Sequence, residues 1–388
     1  LLLRAIDRIA YQQGKKRELV RDQLGQSIGR NGSTIDYWIY RKHMPAHIED
    51  LENLARQIAL LNGWQDVQDC LEFLLNGSHP SPNALIQTIY PQATLHAPNQ
   101  TEETLPLPKS LSPFVVGVPI QYPLQFFGRD RELRRIFSAI QGHLLQNVAI
   151  TGAQRSGKTS LLHYLRKITR ANFSYLRPNQ FTGWLSRPST YRWVFVDFQD
   201  ARTHTQEGLF RFILNRLALP VPSHCTLSNF IDTLGDNTYD PTVILMDEIQ
   251  VALEINEFDQ QFWWGLRSLA TNITEGKLCF IIASQKEPFE LFYQSERPSP
   301  FFNIFGHTVT LGPITEGDAR ALIGNSPTPF DPGAVDWILQ ASHIWPALIQ
   351  ILCQEHLLTL EENAADKEAW KTEGLKKIAP FRHLLEIA

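Results

Sequence analysis

The segment Asn147-Val-Ala-Ile-Thr-Gly-Ala-Gln-Arg-Ser-Gly-Lys-Thr-Ser160 constrains the fold more than any other part of the chain. Gly152, Gly157, Lys158 and Thr159 satisfy G-x-x-x-x-G-K-[ST]. The apolar run Val148, Ala149, Ile150 predicts a buried strand before it. Leu161, Leu162, Tyr164, Leu165 and Ile168 have helical spacing after it. A strand, a glycine-bearing loop and a helix start, in that order, give the loop a physical meaning. Glycines let the backbone curl so that successive N–H groups face an anion. The helix beginning near Lys158 adds its positive end. The expected ligand is a nucleotide whose phosphates lie against residues 152–160, Arg155, Ser156 and Ser160 included. Lys158 is expected on the β/γ oxygens, and the Thr159 hydroxyl is placed for Mg²⁺.

The rest of the central chain alternates strand and helix. Tyr191–Asp197, Thr242–Glu248 and Leu278–Ala283 read as buried strands, with helical spacing at Leu209–Leu217 and Phe262–Leu269. This alternation predicts an α/β fold, a parallel sheet covered by helices on both faces. Ligands bind at the carboxyl ends of such strands, where Asp247, Glu248, Ser284 and Gln285 fall. The acid pair closes its strand about ninety residues after the loop. Asp247 is expected to hold water on the metal, and Glu248 to orient or deprotonate an attacking water. Lys158 and the metal would stabilise the departing γ-phosphoryl charge. Ser284 and Gln285 are candidates for a polar γ-phosphate sensor. The rival readings are a capped loop for Glu248 and an ordinary turn for the other two. Beyond Leu311 the pattern turns helical, near 315–323, 333–341, 346–359 and 366–378.

Residues 1–75 read as a helical module. Ile6, Ile9 and Ala10 predict one helix; Leu19, Val20 and Leu24 a second that ends near Gly25. Ile35, Trp38 and Ile39 predict a third with Ser33 as N-cap. Leu51–Leu61 makes a fourth and Trp64–Leu74 a fifth. Two short helices joined by a turn, with another packed behind, form a helix-turn-helix pattern. Residues 1–45 carry nine Lys or Arg against four acids, a local net charge of +5 (9 − 4). Residues 46–75 are acidic, so a nucleic-acid face would have to point away from them. The competing reading is a small helical assembly domain with a solvated basic side. Residues 76–125 hold nine of the 24 prolines and read as a linker whose end, Ser112–Ile120, lies against the next domain.

Composition narrows the classes. The 388 residues allow two or three domains, and a net charge of −4 excludes polyanion binding by bulk charge. Cys70, Cys225, Cys279 and Cys353 form no C-x-x-C pair, which predicts reduced thiols, a cytoplasmic setting and no zinc site. No apolar run is long enough to span a bilayer. The missing initiator methionine and a helical pattern at Phe381–Ile387 point to a piece of a longer protein.

Two resemblances follow from these residues. Ser33–Pro45 with the Leu51–Leu61 helix resembles the recognition helix and following helix of Cro/C1-type repressors. That resemblance implies double-stranded DNA as a partner. Ser33, Thr34 and Tyr37 would face the major groove, and Arg30, Arg41 and Lys42 would hold phosphates. Phe126-Phe-Gly-Arg-Asp-Arg-Glu132 is similar to the hhGRExE motif of STAND NTPases and of origin-recognition (ORC/Cdc6-like) AAA+ ATPases. Leu311-Gly-Pro-Ile-Thr-Glu316 resembles the segment that opens their helical lid, and His343–Cys353 the lid's G-x-P helix.

Together these readings give four segments: an N-terminal helix-turn-helix-like domain (1–75), a linker (76–125), a P-loop NTPase domain (126–311) and a helical lid (312–388). The second resemblance implies ATP or ADP with Mg²⁺ as ligands. Arg129 would lie near ribose and adenine, Val118–Ile120 would flank the base, and Pro346 would close the pocket. It further implies a nucleotide switch that assembles into homo-oligomers and regulates transcription or defence. The alternatives are a DNA-loaded ATPase of transposition or replication and a non-hydrolysing scaffold. Departures are Asp130 for the usual Glu, Ile344 for the usual Gly, and no Arg in 343–353. The missing arginine points toward STAND, and the presence of Glu248 away from it. Arg297 and Arg320 are the candidate arginine fingers.

Overall fold

A computed structural model describes residues 2–40, 45, 47–64, 69–70, 73–74, 77, 79, 82–90, 111–171, 175–178, 180–294, 299–362, 366 and 368–386. Arg41, Lys42, Arg297, most of the expected linker and part of the expected fifth helix lie outside the described residues. The chain divides into two compact units, 1–99 and 100–388.

The first unit packs α1 (Leu2–Gln13), α2 (Arg17–Ser27), α3 (Gly32–Tyr40), α4 (Ile48–Leu60) and α5 (Pro82–Ile89). Their apolar faces meet in one core of Ile6, Ile9, Val20, Leu24, Ile35, Leu51, Leu54, Ile58, Leu85 and Ile86. The expected linker is therefore helical at its start, because Leu85 and Ile86 complete this core. Two details of the α2–α3 turn differ from expectation. α2 does not end at Gly25. It runs on to Ser27, and the reversal is made at Gly29, where φ is +69°. Gly25 is glycine for another reason: a Cβ there would lie 2.7 Å from the Asn31 carbonyl carbon and 2.9 Å from the Gly32 nitrogen. Ser33 does not cap α3 but sits inside its first turn, since the helix begins at Gly32.

The second unit is built on a five-stranded, wholly parallel sheet. Its strands are β1 (Val148–Thr151), β2 (Arg192–Asp197), β3 (Thr242–Asp247), β4 (Leu278–Ser284) and β5 (His307–Thr310), in the order β2-β3-β4-β1-β5. Strand alternation splits the core into two layers. Val194, Val196, Ile244, Met246, Phe280 and Ile282 face one set of helices. Trp193, Val243, Leu245, Cys279, Ile281 and Ile150 face the other, which holds the loop helix Lys158–Ile168. β1 and β3 are buried at every position, so the segments leaving their carboxyl ends start from fixed points.

The lid comprises the helices Glu316–Ile323, Pro332–Ser342, Pro346–Glu361 and Ala369–Ile378 around Trp345, Leu348, Leu352 and Trp370. Thr315 and Asp331 cap their helices by accepting from the N–H groups of Asp318 and Ala334. Pro332 and Pro346 open two of them, where the missing N–H costs nothing. Phe114 inserts into the same core, so the chain before the sheet is part of this unit. Ile344 has φ +53°, in the left-handed region that favours glycine. A β-branched residue held in it stores about 1–3 kcal/mol of strain. The four cysteines are free, buried and spread over four separate cores. Among the described residues no helix is long and apolar enough to cross a membrane.

In an ordinary helix interior Gly→Ala is stabilising by roughly 1 kcal/mol. At Gly25 the backbone contact reverses the sign. Gly25→Ala in the full chain is expected to destabilise the first unit by about 1–3 kcal/mol. Hydrogen exchange of residues 17–40 measures this, and slower exchange in the variant would contradict the close approach.

Candidate nucleotide site

The loop leaving β1 has the geometry its sequence demands. Gly152 takes φ +149° and Gly157 φ +98°. A Cβ on Gly152 would lie 2.8 Å from Ser156 Oγ and 2.9 Å from the Leu311 carbonyl oxygen, so no other residue fits. Lys158 is buried and its ammonium donates to the carbonyls of Gly152 (2.9 Å) and Ala153 (3.0 Å). Burial lowers its pKa, while Glu248 and then Asp247 act against that.

Thr159, in the first turn of the loop helix, hydrogen-bonds to the Asp247 carboxylate at the end of β3. Asp247 is 3% exposed. Burial pushes its carboxyl up to about 6; Glu248 and Asp197 push the same way, against the Thr159 bond and the Glu248 N–H. The register sets Asp197 directly beside Asp247, a neighbour that the sequence reading passed over. Glu248 follows in the left-handed region, φ +52°, and its N–H donates to Asp247 Oδ1 at 3.1 Å. Gln250 donates from Nε2 to Glu248 Oε2. This holds the carboxylate in a fixed position, and no motif announced it.

Lys158, Thr159 and Glu248 line one cleft of about 620 Å³, with Val115–Ile120 on one wall and Pro346, Ala347, Gln350 and Ile351 of the lid on another. That volume is in the ordinary range for a ligand the size of a nucleotide. The Thr159 hydroxyl and the Asp247 carboxylate supply oxygen donors of the kind Mg²⁺ takes. The two lie side by side, and the chemistry of this donor set fits that ion.

Other expected residues are placed differently. Ser160 lines the cleft, but its hydroxyl accepts from the Ile120 N–H at 3.1 Å and so fastens the wall. Arg155 donates to the Gly117 carbonyl at 2.9 Å and lies 5.8 Å from the Phe381 ring. Ser156 is buried, and its hydroxyl has no partner among the described residues. Ser284 ends β4 beside Thr151, but its hydroxyl accepts from the Lys286 N–H, and Gln285 is exposed. Neither lines the cleft. Lys377, paired with Glu355 at 2.6 Å, and Phe381 line it without any signal in the sequence.

Arg129 lines the cleft, yet its guanidinium is taken by protein. It donates to the Gly312 carbonyl, to Ser156 O at 3.4 Å, to Pro313 O at 3.5 Å and to Glu132 at 3.3 Å. Its backbone is left-handed, φ +71°, and burial lowers its pKa against Glu132 and Asp318. One side chain thus joins the loop to the segment that opens the lid.

In the first unit, Ser33 is exposed and Tyr37 is 52% exposed on α3, with Thr34 half-buried. Arg30 is paired with Asp50 on α4 at 2.8 Å.

No protein-family model and no curated protein matches the sequence. Solved structures do match. The Walker-type ATPase Paby2304 of Pyrococcus abyssi aligns with 70% of this chain and 78% of its own at 14% identity and a TM-score of 0.51. The ORC2 protein of Aeropyrum pernix, solved in ADPNP–ADP complexes, aligns with 65% and 69% at 13% identity and a TM-score of 0.49. Cdc6p of Pyrobaculum aerophilum aligns with 61% and 62% at 12% identity and a TM-score of 0.45. At such identities likeness speaks to fold. The strand order, the loop after β1 and the likeness to the Pyrococcus ATPase define the fold: a parallel α/β sheet of the P-loop NTPase kind.

Removing the Arg129 side chain strips donors from one buried carbonyl, Ser156, and two half-buried ones, Gly312 and Pro313. Arg129→Ala is expected to lower the stability of the 100–388 unit by about 2–4 kcal/mol, at roughly 1–3 kcal/mol per unsatisfied buried group. Urea unfolding monitored on that unit, with hydrogen exchange at 311–316, tests it. An unchanged midpoint and unchanged exchange would show that the bridge carries no load.

Proposed function

We propose that the chain binds Mg-ATP in this cleft, hydrolyses it slowly and uses the bound nucleotide to set the position of its lid. The observation that supports this best is that Lys158, Thr159 and Glu248 line one cleft together with lid residues, with Asp247 buried directly beside Thr159 and Glu248. In this reading the loop N–H groups and Lys158 hold the β- and γ-phosphates. Thr159 and Asp247 would hold Mg²⁺, which when bound neutralises phosphate charge. Glu248, kept in place by Gln250, orients the attacking water and takes its proton. Arg129 ties the loop to Gly312 and Pro313, so a shift of the loop carbonyls on phosphate binding reaches the lid hinge directly. This is the STAND-like switch: the nucleotide state selects the lid position, and that position governs assembly and an output domain.

The N-terminal unit is proposed as that output, a helix-turn-helix module for double-stranded DNA. The close α2–α3 approach at Gly25 and the exposed Ser33 and Tyr37 support it. Arg30 would have to exchange Asp50 for a phosphate. A second reading, a DNA-loaded ATPase, is favoured by Glu248 and by the basic charge of residues 1–45.

Glu248→Gln is expected to keep ATP affinity within about twofold and to lower turnover by roughly 10²–10⁴. Single-turnover hydrolysis measures this, with and without duplex DNA. Retained ADP and slow turnover indifferent to DNA fit the switch. DNA-stimulated steady turnover fits the second reading. Full hydrolysis by the variant would remove Glu248 from the chemistry.

Asp247 gives a pH signature. Its folded pKa is raised to about 6, so the folded free protein takes up a proton that the unfolded chain releases near pH 4. This group favours the fold at low pH, and that contribution is lost as pH rises from about 4 through 6. Metal binding has the opposite demand, an ionised carboxylate. The Mg-dependent part of ATP affinity should therefore weaken about tenfold per pH unit below pH 6. Asp247→Asn shares the ligand's own titration and serves as the reference. Parallel pH profiles for the two proteins by calorimetry would rule out Asp247 as the titrating ligand.

A further inference from the structure

The lid contributes to the cleft lining a buried amide that phosphate chemistry does not use. Gln350 lies one helical turn beyond Pro346, and Pro346, Ala347, Gln350 and Ile351 share the cleft-lining face of their helix. Gln350 is 4% exposed. Its Oε1 accepts from the Val115 N–H at 2.8 Å. That bond fixes the amide, because a backbone N–H demands the oxygen and turns the NH₂ the other way. Among the described residues no acceptor meets Nε2. Val116, Val118, Ile120, Phe127, Leu322 and Ile351 give the same cleft an apolar share of its lining. Apolar walls with a few oriented polar groups are how a protein fixes a flat heteroaromatic ligand in one pose.

We propose that Gln350 reads the base. Its Nε2–H donates to N1 of adenine while Val115 holds the other end of the amide. The inference rests on the nucleotide reading above and adds a residue and a base to it. Adenine presents a bare acceptor at N1. Guanine presents N1–H and an amino group on the same edge, so a donor locked by Val115 meets donors and is left unsatisfied in the cleft. The amide cannot flip to welcome guanine without abandoning the Val115 N–H. Base recognition is thereby coupled to the segment 112–120, which Phe114 and the Asn325–Pro113 bond (2.9 Å) anchor to the lid.

The test is a set of affinities for the full chain at pH 8 with Mg²⁺: ATP, 1-deaza-ATP, 7-deaza-ATP and GTP, for wild type, Gln350→Glu and Gln350→Met. Glutamate keeps an oxygen for Val115 and deletes the donor, and methionine deletes both. Wild type is expected to bind 1-deaza-ATP about 3- to 10-fold more weakly than ATP, 7-deaza-ATP equally, and GTP weaker still. In both variants ATP should fall to the 1-deaza level and the difference between the two should vanish. Equal binding of ATP and 1-deaza-ATP by wild type overturns the proposal and needs no variant. So does a difference that survives in Gln350→Glu, since the donor then lies elsewhere. If wild type binds none of the four, the nucleotide reading fails and this inference fails with it. Tight binding without discrimination sinks the inference alone.

Discussion

The buried Arg129 guanidinium is the contact on which the working geometry of this protein depends. A guanidinium with five donors in a rigid plane can serve several carbonyls at once, and here it serves the phosphate loop at Ser156 and the lid hinge at Gly312 and Pro313. Sheet and lid have separate cores and are joined by few covalent links, so their relative position is set by such bridges. Gln350 to Val115 and Asn325 to Pro113 are two more. All three run between a segment that faces the cleft and a segment that belongs to the lid. The proposed switch rests on these contacts, since each joins the lid to a segment beside the cleft without an intermediary.

Beneath this layer lies a second constraint, the burial of carboxylates at the strand ends. β2 and β3 run side by side and in register, so Asp197 and Asp247 arrive together. Asp247 is enclosed and therefore resists ionisation, and Thr159 and the Glu248 N–H supply the hydrogen bonds that compensate. A divalent cation at that point would replace a costly buried charge with a neutralised one. The same arrangement leaves Glu248 half-buried at the cleft, fixed by Gln250 and close enough to Lys158 to counter the effect of burial on it. Two adjacent acids thus differ in burial, Asp247 enclosed and Glu248 half-buried, and the proposed division between metal holding and water activation rests on that difference.

Much of this could be read from the chain directly. The strand–loop–helix unit, the acid pair closing a buried strand and the helical tail beyond Leu311 all follow from residue type and spacing. They depend on local rules: glycine's freedom at Gly152 and Gly157, β-alternation and helical periodicity. Reading fails where one residue has two possible reasons. Gly25 looks like a helix end and is a contact point, because close approach and chain reversal both select glycine. Ser33 looks like a cap and lies one residue inside the helix. Pro82–Ile89, in a proline-rich stretch, becomes helical because Leu85 and Ile86 find a core to fill. Ser160 and Ser284 carry hydroxyls suited to phosphate and spend them on the backbone of Ile120 and Lys286.

The sequence by itself therefore determined the class of fold, the glycine loop after β1 and the acid pair that closes β3, since each rests on neighbours within a few residues. The tertiary structure alone decided which side chains meet across the cleft. Gln350 and Val115 are separated by 235 positions, and Arg129 and Gly312 by 183. No local spacing encodes such pairs. They exist because the lid packs around Trp345 and Phe114 and brings those atoms within hydrogen-bonding reach, and that packing is a property of the whole core.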